Sequence, residues 1–190
     1  MTLKDVKNIL IVGLGLLGGS YAKVLTEKGF SVKTITLNQD DIDYAVDEGF
    51  IKGGSTTVDE ALIKEAELII FALYPHTFIE WIEENGNLIK SGTVITDVTG
   101  VKGAVVEKIQ DMLPVGVEFI AAHPMAGKET CGVRNTDPQI FKKANYTDGT
   151  YKKINGAYSA LGARGLCDFV SDAMGMSVDR YVVLGLDTVR

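Results

Sequence analysis

Cysteine and histidine are scarce in this chain, with two of each among 190 residues. Cys131 and Cys167 match no metal-ligand spacing and make no disulfide framework. A stapled scaffold is therefore excluded, and no metal site is expected. An excess of positive charge is also missing. Nineteen Lys and Arg stand against 25 Asp and Glu, a net charge of −6, which argues against nucleic acid or an anionic membrane as the main partner. Long apolar runs are lacking too. Ile9–Leu17 is short and broken by glycine, so it makes no membrane span. The opening residues, Met1–Lys7, have no secretory apolar core behind them. The expectation is a cytoplasmic protein, with no nucleic acid and no membrane as partner.

What is present is ordinary for a globular protein: 46% hydrophobic and 23% charged residues. The length suits one good domain plus part of a second. Short β-branched runs alternate with segments of helical length. Strands are expected at Asn8–Val12, Ser31–Leu37, Leu68–Leu73, Thr93–Val98 and Val117–Ala122. Helices are expected at Leu16–Lys28, from an Asn38 cap to Asp47, at Thr57–Ala66 capped by Thr56 or Thr57, at Thr77–Glu84 and at Val101–Met112. This alternation predicts an α/β fold, a Rossmann-type doubly wound parallel sheet with flanking helices. After Tyr146 the pattern weakens. Residues 1–146 are read as a dinucleotide-binding domain and 147–190 as an uncertain appendix. Tyr158–Met174 is its candidate helix, despite Gly162 and Gly165, and Val178–Leu186 a candidate strand or irregular tail.

Gly13-Leu14-Gly15-Leu16-Leu17-Gly18 follows the first strand and opens the first helix, the context a dinucleotide fingerprint needs. The first glycine permits the tight turn, and the second lets the backbone approach a pyrophosphate. The third lets the helix pack closely, with its N-terminal N–H groups facing the phosphates. An acid about 20 residues further on would bind the ribose 2′-hydroxyl. Thr36 and Asn38 stand in that region instead, ahead of Asp40 and Asp41. Without the carboxylate a 2′-phosphate is tolerated, yet no arginine is nearby to grip it. The cofactor is NADP or NAD, tilting slightly to NADP.

Ile120-Ala121-Ala122-His123-Pro124-Met125-Ala126-Gly127 places a histidine where an apolar strand gives way to a polar loop. Ligands collect at that end of parallel strands. Pro124 keeps His123 extended, while Gly127 and Gly132 let the loop curl tightly. His76 is read as a surface or capping residue, Trp81 as packing and Arg134 as solvated charge.

Three blocks follow one another: the glycine turn continued through Gly19-Ser20, Thr96-Asp97-Val98-Thr99-Gly100-Val101-Lys102, and His123-Pro124-Met125-Ala126-Gly127-Lys128-Glu129. In these the chain resembles the prephenate (or arogenate) dehydrogenase family of tyrosine biosynthesis, over roughly residues 7–146. The resemblance implies oxidative decarboxylation of prephenate to 4-hydroxyphenylpyruvate, with hydride passing to NAD(P)+. It implies His123 as acceptor of the hydroxyl proton. Gly13, Leu14, Gly15, Leu16, Leu17 and Gly18, with Thr36, Asn38, Leu73 and Thr99, are the expected cofactor set. Thr99, Gly100, His123, Gly127 and Glu129 are the expected substrate set.

One departure stands out. Many members carry a serine where this chain has Gly100, and here the hydroxyl sits one residue earlier, on Thr99. The family also forms homodimers through an all-helical domain after the nucleotide domain. That domain is not visible before Arg190, and residues 147–190 resemble the family poorly. Truncation, a disrupted reading frame and divergence all fit, so nucleotide binding with weak or absent turnover is expected of the chain as it stands. The alternatives are an arogenate dehydrogenase or another Rossmann oxidoreductase, and a non-catalytic dinucleotide-binding fragment.

Overall fold

Strand β1 (Asn8–Val12) sits in the middle of the sheet, and its residues divide between two cores. Leu10 and Val12 join Ile69, Phe71 and Ile95 on one face, while Ile9 and Ile11 join Ala22, Val32 and Ile42 on the other. Alternate side chains leave opposite faces of a strand. A continuous apolar run is thus what a strand covered on both faces requires. The computed structural model describes residues 6–100, 103–124, 126–141, 144–145 and 151–152.

From β1 the chain runs through α1 (Leu16–Glu27), β2 (Ser31–Ile35), α2 (Gln39–Asp47), β3 (Gly54–Ser55) and α3 (Glu60–Glu65). It continues through β4 (Leu68–Phe71), α4 (Pro75–Asn85), β5 (Val94–Asp97), α5 (Gly103–Met112) and β6 (Glu118–Ile120). The six strands are parallel, in the order β3-β2-β1-β4-β5-β6. Strand order reverses between β1 and β4, so the ligand crevice of a doubly wound sheet belongs at their C-terminal ends. The expected fold class is the one observed.

The strands end sooner than their composition suggests, for one shared reason. Val12 is the last residue of β1, paired with Ile35 and with Phe71. Beyond it the chain turns at Gly13, whose φ is +95°. Neither β2 nor β4 has a ladder partner past that point, so they stop at Ile35 and Phe71 rather than at Leu37 and Leu73. Strand β6 ends at Ile120, opposite Thr96, rather than at Ala122.

The helix starts move as well. Asn38 caps α2 as expected, its side chain accepting the Asp40 N–H at 3.0 Å. α3 begins later than expected because Asp59 is its cap, accepting from Ala61 and Leu62 at 2.9 and 3.1 Å. α4 begins earlier, at Pro75, since a first-turn proline gives up no hydrogen bond. Its buried face carries Phe78 and Trp81, whose rings lie 4.5 and 4.9 Å from that of Phe71. The two-residue edge strand β3 has no signature in its Gly-Ser sequence.

By its contacts the chain divides into two units, Met1–Ile140 and Phe141–Arg190. In the second, Ala144–Asn145 pairs antiparallel with Tyr151–Lys152. The candidate helix at 158–174 and strand at 178–186 lie outside the described residues. Among the described residues no helix is long and apolar enough to cross a membrane, and no cluster of His, Cys, Asp or Glu is built to hold a metal.

Candidate active site

The turn after β1 needs each of its three glycines for a different reason. Gly13 has left-handed backbone, donates its N–H to the Ile35 carbonyl at 2.8 Å, and lies so close to β4 that a Cβ would stand 2.6 Å from the Ala72 carbonyl oxygen. At Gly18 a Cβ would run into the Gly13 carbonyl, so this glycine sets how closely α1 packs on the turn. Gly15 is the opposite case, with nothing within 4 Å of its Cβ position. It faces open space at the N-cap of α1, where no side chain caps the helix and no acid occupies the first turn. The first N–H groups of a helix have no intrahelical acceptor. An uncapped end beside a bare backbone fits a pyrophosphate.

Beside this turn lies a cleft of about 500 Å³, within the range of small-ligand sites. Of the expected cofactor set, Gly13, Leu14, Gly15, Thr36, Asn38 and Leu73 line it. Leu16, Leu17 and Gly18 do not; they form the first turn of α1, with Gly18 buried. Sequence reasoning missed Leu37, Val58, Asp41 and Trp81 among the lining residues. Leu37 is 94% exposed, an apolar side chain left in solvent at the cleft mouth. Trp81 packs on Phe71 as expected and also reaches the cleft wall.

A second group gathers where β5 and β6 end. Asp97, the last residue of β5, is 1% exposed. One carboxylate oxygen accepts the Ala122 N–H at 3.1 Å. The other accepts the Thr99 N–H at 3.0 Å and the Thr99 hydroxyl. The Asp97 side chain takes over where the β5–β6 backbone ladder stops, which explains the short β6. Burial, and after it the negative charge of Asp97, push the Tyr21 phenol above its ordinary pKa.

Ala122 leads directly into His123, whose exposed imidazole lies over Gly100. A Cβ at Gly100 would sit 3.4 Å from its Cε1 and 3.5 Å from its Nε2. Any side chain at that position would thus touch the ring. Thr99 is 5% exposed and its hydroxyl is directed at Asp97. Gly100, His123, Gly127 and Glu129 are exposed and none lines the cleft, which reaches this loop at Gly132.

The loop after His123 is docked on α1. Gly19 has no room for a Cβ against Thr136, and Ser20 Oγ accepts the Asp137 N–H at 3.0 Å while donating to Leu16. Of the two loop glycines, Gly132 has φ +86°, whereas Gly127 lies outside the left-handed region with open space around it. The Arg134 guanidinium stacks 4.5 Å from the Tyr44 ring, and His76 stacks on Tyr74.

A doubly wound parallel sheet with an open glycine turn at its switch point defines a Rossmann-type fold of the dinucleotide-binding kind. Residues 21–155 match the family of the prephenate dehydrogenase nucleotide-binding domain, and the chain belongs to that family. It is 31% identical over 143 residues to a prephenate dehydrogenase of Lactococcus lactis, covering 74% of this chain and 40% of that protein. It is 30% identical over 141 residues to one from Bacillus subtilis, covering 73% and 38%. The fold matches that of prephenate dehydrogenase from Aquifex aeolicus in complex with hydroxyphenyl propionate and NAD+. There the TM-score is 0.65 and the identity 26%, over 95% of this chain and 61% of that one. The chain spans about two fifths of the length of the curated relatives it matches.

Proposed function

We propose that this chain is the dinucleotide-binding part of a prephenate dehydrogenase-like oxidoreductase, acting on prephenate or arogenate with NAD(P)+ in the cytoplasm. One observation carries the reading. The open glycine turn after β1 and the His123 loop after β6 stand at the same, C-terminal edge of one parallel sheet. The Aquifex relative holds NAD+ on this fold. A nicotinamide dinucleotide held here would supply the acceptor for the hydride that leaves the carbinol carbon of the substrate.

The chain's own residues do the rest. Backbone N–H groups at Leu16, Leu17 and Gly18 would hold the pyrophosphate beside Gly15. Leu14, Thr36, Asn38 and Leu73 border the nucleoside, and Gly13 keeps the turn. His123 accepts the hydroxyl proton of the substrate at a ring nitrogen. The bond to the ring carboxylate then breaks, its electron pair enters the ring and reaches the oxygen, CO2 leaves, and the phenolate takes the proton back from His123 to give an aromatic phenol. Aromatisation supplies the driving force, so the protein mainly orients its partners. Base assistance of this kind contributes about 10²–10⁴ in rate. Gly100, Gly127 and Glu129 border the substrate, and Thr99 acts through its bonds to Asp97. A homodimer formed through a helical domain completes the site in this reading.

The test is prephenate-dependent reduction of NAD+, followed by absorbance, for wild type and His123→Asn. The variant should lose about 10²–10⁴ in kcat while its affinity for NADH stays within twofold. Equal turnover in the two removes His123 from the mechanism. A second reading, a unit that binds the dinucleotide without turning over substrate, is favoured by Gly100, His123, Gly127 and Glu129 lying outside the lining of the cleft. Saturable NADH binding with no detectable reduction supports it.

A further inference from the structure

The strand-end acid that usually contacts the ribose 2′-hydroxyl is replaced here by Thr36, whose Oγ1 accepts the Leu14 N–H at 3.3 Å. An acid nonetheless reaches the cleft from another element. Among the described residues lining it, Asp41 is the one charged side chain, and no Lys or Arg accompanies it. Asp41 lies in the first turn of α2 and is half-buried. Its neighbour Asp43 accepts from Gln39 Nε2 at 2.8 Å. The Asp41 carboxylate makes no hydrogen bond or ion pair among the described residues.

Building on the dinucleotide reading above, we propose that Asp41 makes this cleft select the dinucleotide with a free ribose 2′-hydroxyl and exclude its 2′-phosphate form. Three observations support it. First, the α2 N-terminus, whose positive end would otherwise welcome a phosphate, is already capped by Asn38 through the Asp40 N–H. Second, Asp40 and Asp41 in that first turn offset its positive charge. Third, the lining offers no cation to neutralise a phosphate. A carboxylate is acceptor-only, which suits a hydroxyl and repels a phosphate. Because Asp41 is half-buried, salt screens that repulsion less than it would at the open surface. The sequence, read without the cleft, tilts the other way, since Asp41 lies well past the end of β2.

The single tryptophan, Trp81, lines the cleft and reports binding in the protein as it stands. Titrations with NADH and with NADPH, followed by Trp81 fluorescence, should give NADH a Kd lower by about tenfold or more, as expected of close like charges at intermediate dielectric. Asp41→Asn, which keeps the shape and drops the charge, should narrow that ratio several-fold by tightening NADPH. Asp41→Arg should reverse it. Circular dichroism identifies any variant that has lost the fold. Equal or tighter wild-type binding of NADPH overturns the proposal, as does a ratio unchanged in a folded Asp41→Asn. Failure of both nucleotides to saturate the wild type overturns the dinucleotide reading itself, and the proposal with it.

Discussion

Asp97 holds the backbone N–H of Ala122 at 3.1 Å, and so fixes the residue that delivers the chain to His123. The same carboxylate holds Thr99, one residue before the glycine that the imidazole covers. A single buried side chain thereby ties together the two loops that meet at the candidate base. Asp97→Ala removes the acceptor of three hydrogen bonds, two of them from backbone N–H groups. A hydrogen bond to a charged group contributes about 1.5–3 kcal/mol, so a loss of roughly 3 kcal/mol in urea denaturation is expected. Asp97→Asn retains an oxygen acceptor and should cost less. An unmoved midpoint in the alanine variant would remove Asp97 from this role.

Gly13 and Gly18 are structural requirements whatever the cleft binds. An alanine at Gly13 needs left-handed backbone and meets the Ala72 carbonyl, and one at Gly18 meets the Gly13 carbonyl. Strain and overpacking of this kind each cost about 1–3 kcal/mol. Thermal unfolding of each variant without nucleotide should show the loss.

Gly100→Ser places a hydroxyl against the His123 ring, where this chain leaves the imidazole without a side-chain neighbour from that position. An orienting hydrogen bond contributes about 1 kcal/mol. Turnover of prephenate should therefore rise roughly five- to tenfold, with stability little changed at this exposed site. A fall in kcat would show that the ring needs the space.

Glu67 gives the fold an acid dependence that a binding site does not explain. Its Oε2 accepts the N–H groups of Asn8 and Lys7 at 2.9 and 2.6 Å, pinning the start of β1. These bonds, that from Asn8 first, hold its pKa below the ordinary glutamate value. A carboxyl whose pKa falls on folding stabilises the protein above its unfolded pKa, and that contribution disappears as pH falls through the folded value. Glu67→Gln should be less stable than wild type at neutral pH. The two should converge below about pH 4, the usual range for a free glutamate, in denaturation curves at stepped pH.

The sheet was legible because β1 and β4 are buried on both faces, which leaves unbroken apolar runs flanked by glycine and proline. Gly13, Gly15 and Gly18 were legible because their spacing expresses a backbone need. The element ends were not. β2, β4 and β6 stop where their neighbours stop, and that depends on register, which one strand's sequence does not contain. Asp97 was hidden for the same reason: only the end of the β5–β6 ladder turns a polar strand residue into the acceptor for Ala122. Asp41 looked like one acid among several on α2 until the cleft placed it apart from Asp43. Trp81 read as core, and its share of the cleft wall appears only once α4 is docked beside β4.

If the space over Gly15 belongs to a dinucleotide phosphate, calorimetric titration with NADH will separate wild type from Gly15→Ala. Gly15 has φ −89° and open surroundings, so alanine fits the free protein. Stability should stay within about 0.5 kcal/mol of wild type. Wild type should bind NADH saturably, and the variant at least about tenfold more weakly, the equivalent of about 1.4 kcal/mol, because the new methyl group takes the phosphate's place. Equal affinity in the two proteins, or no saturable binding by wild type, would contradict the account.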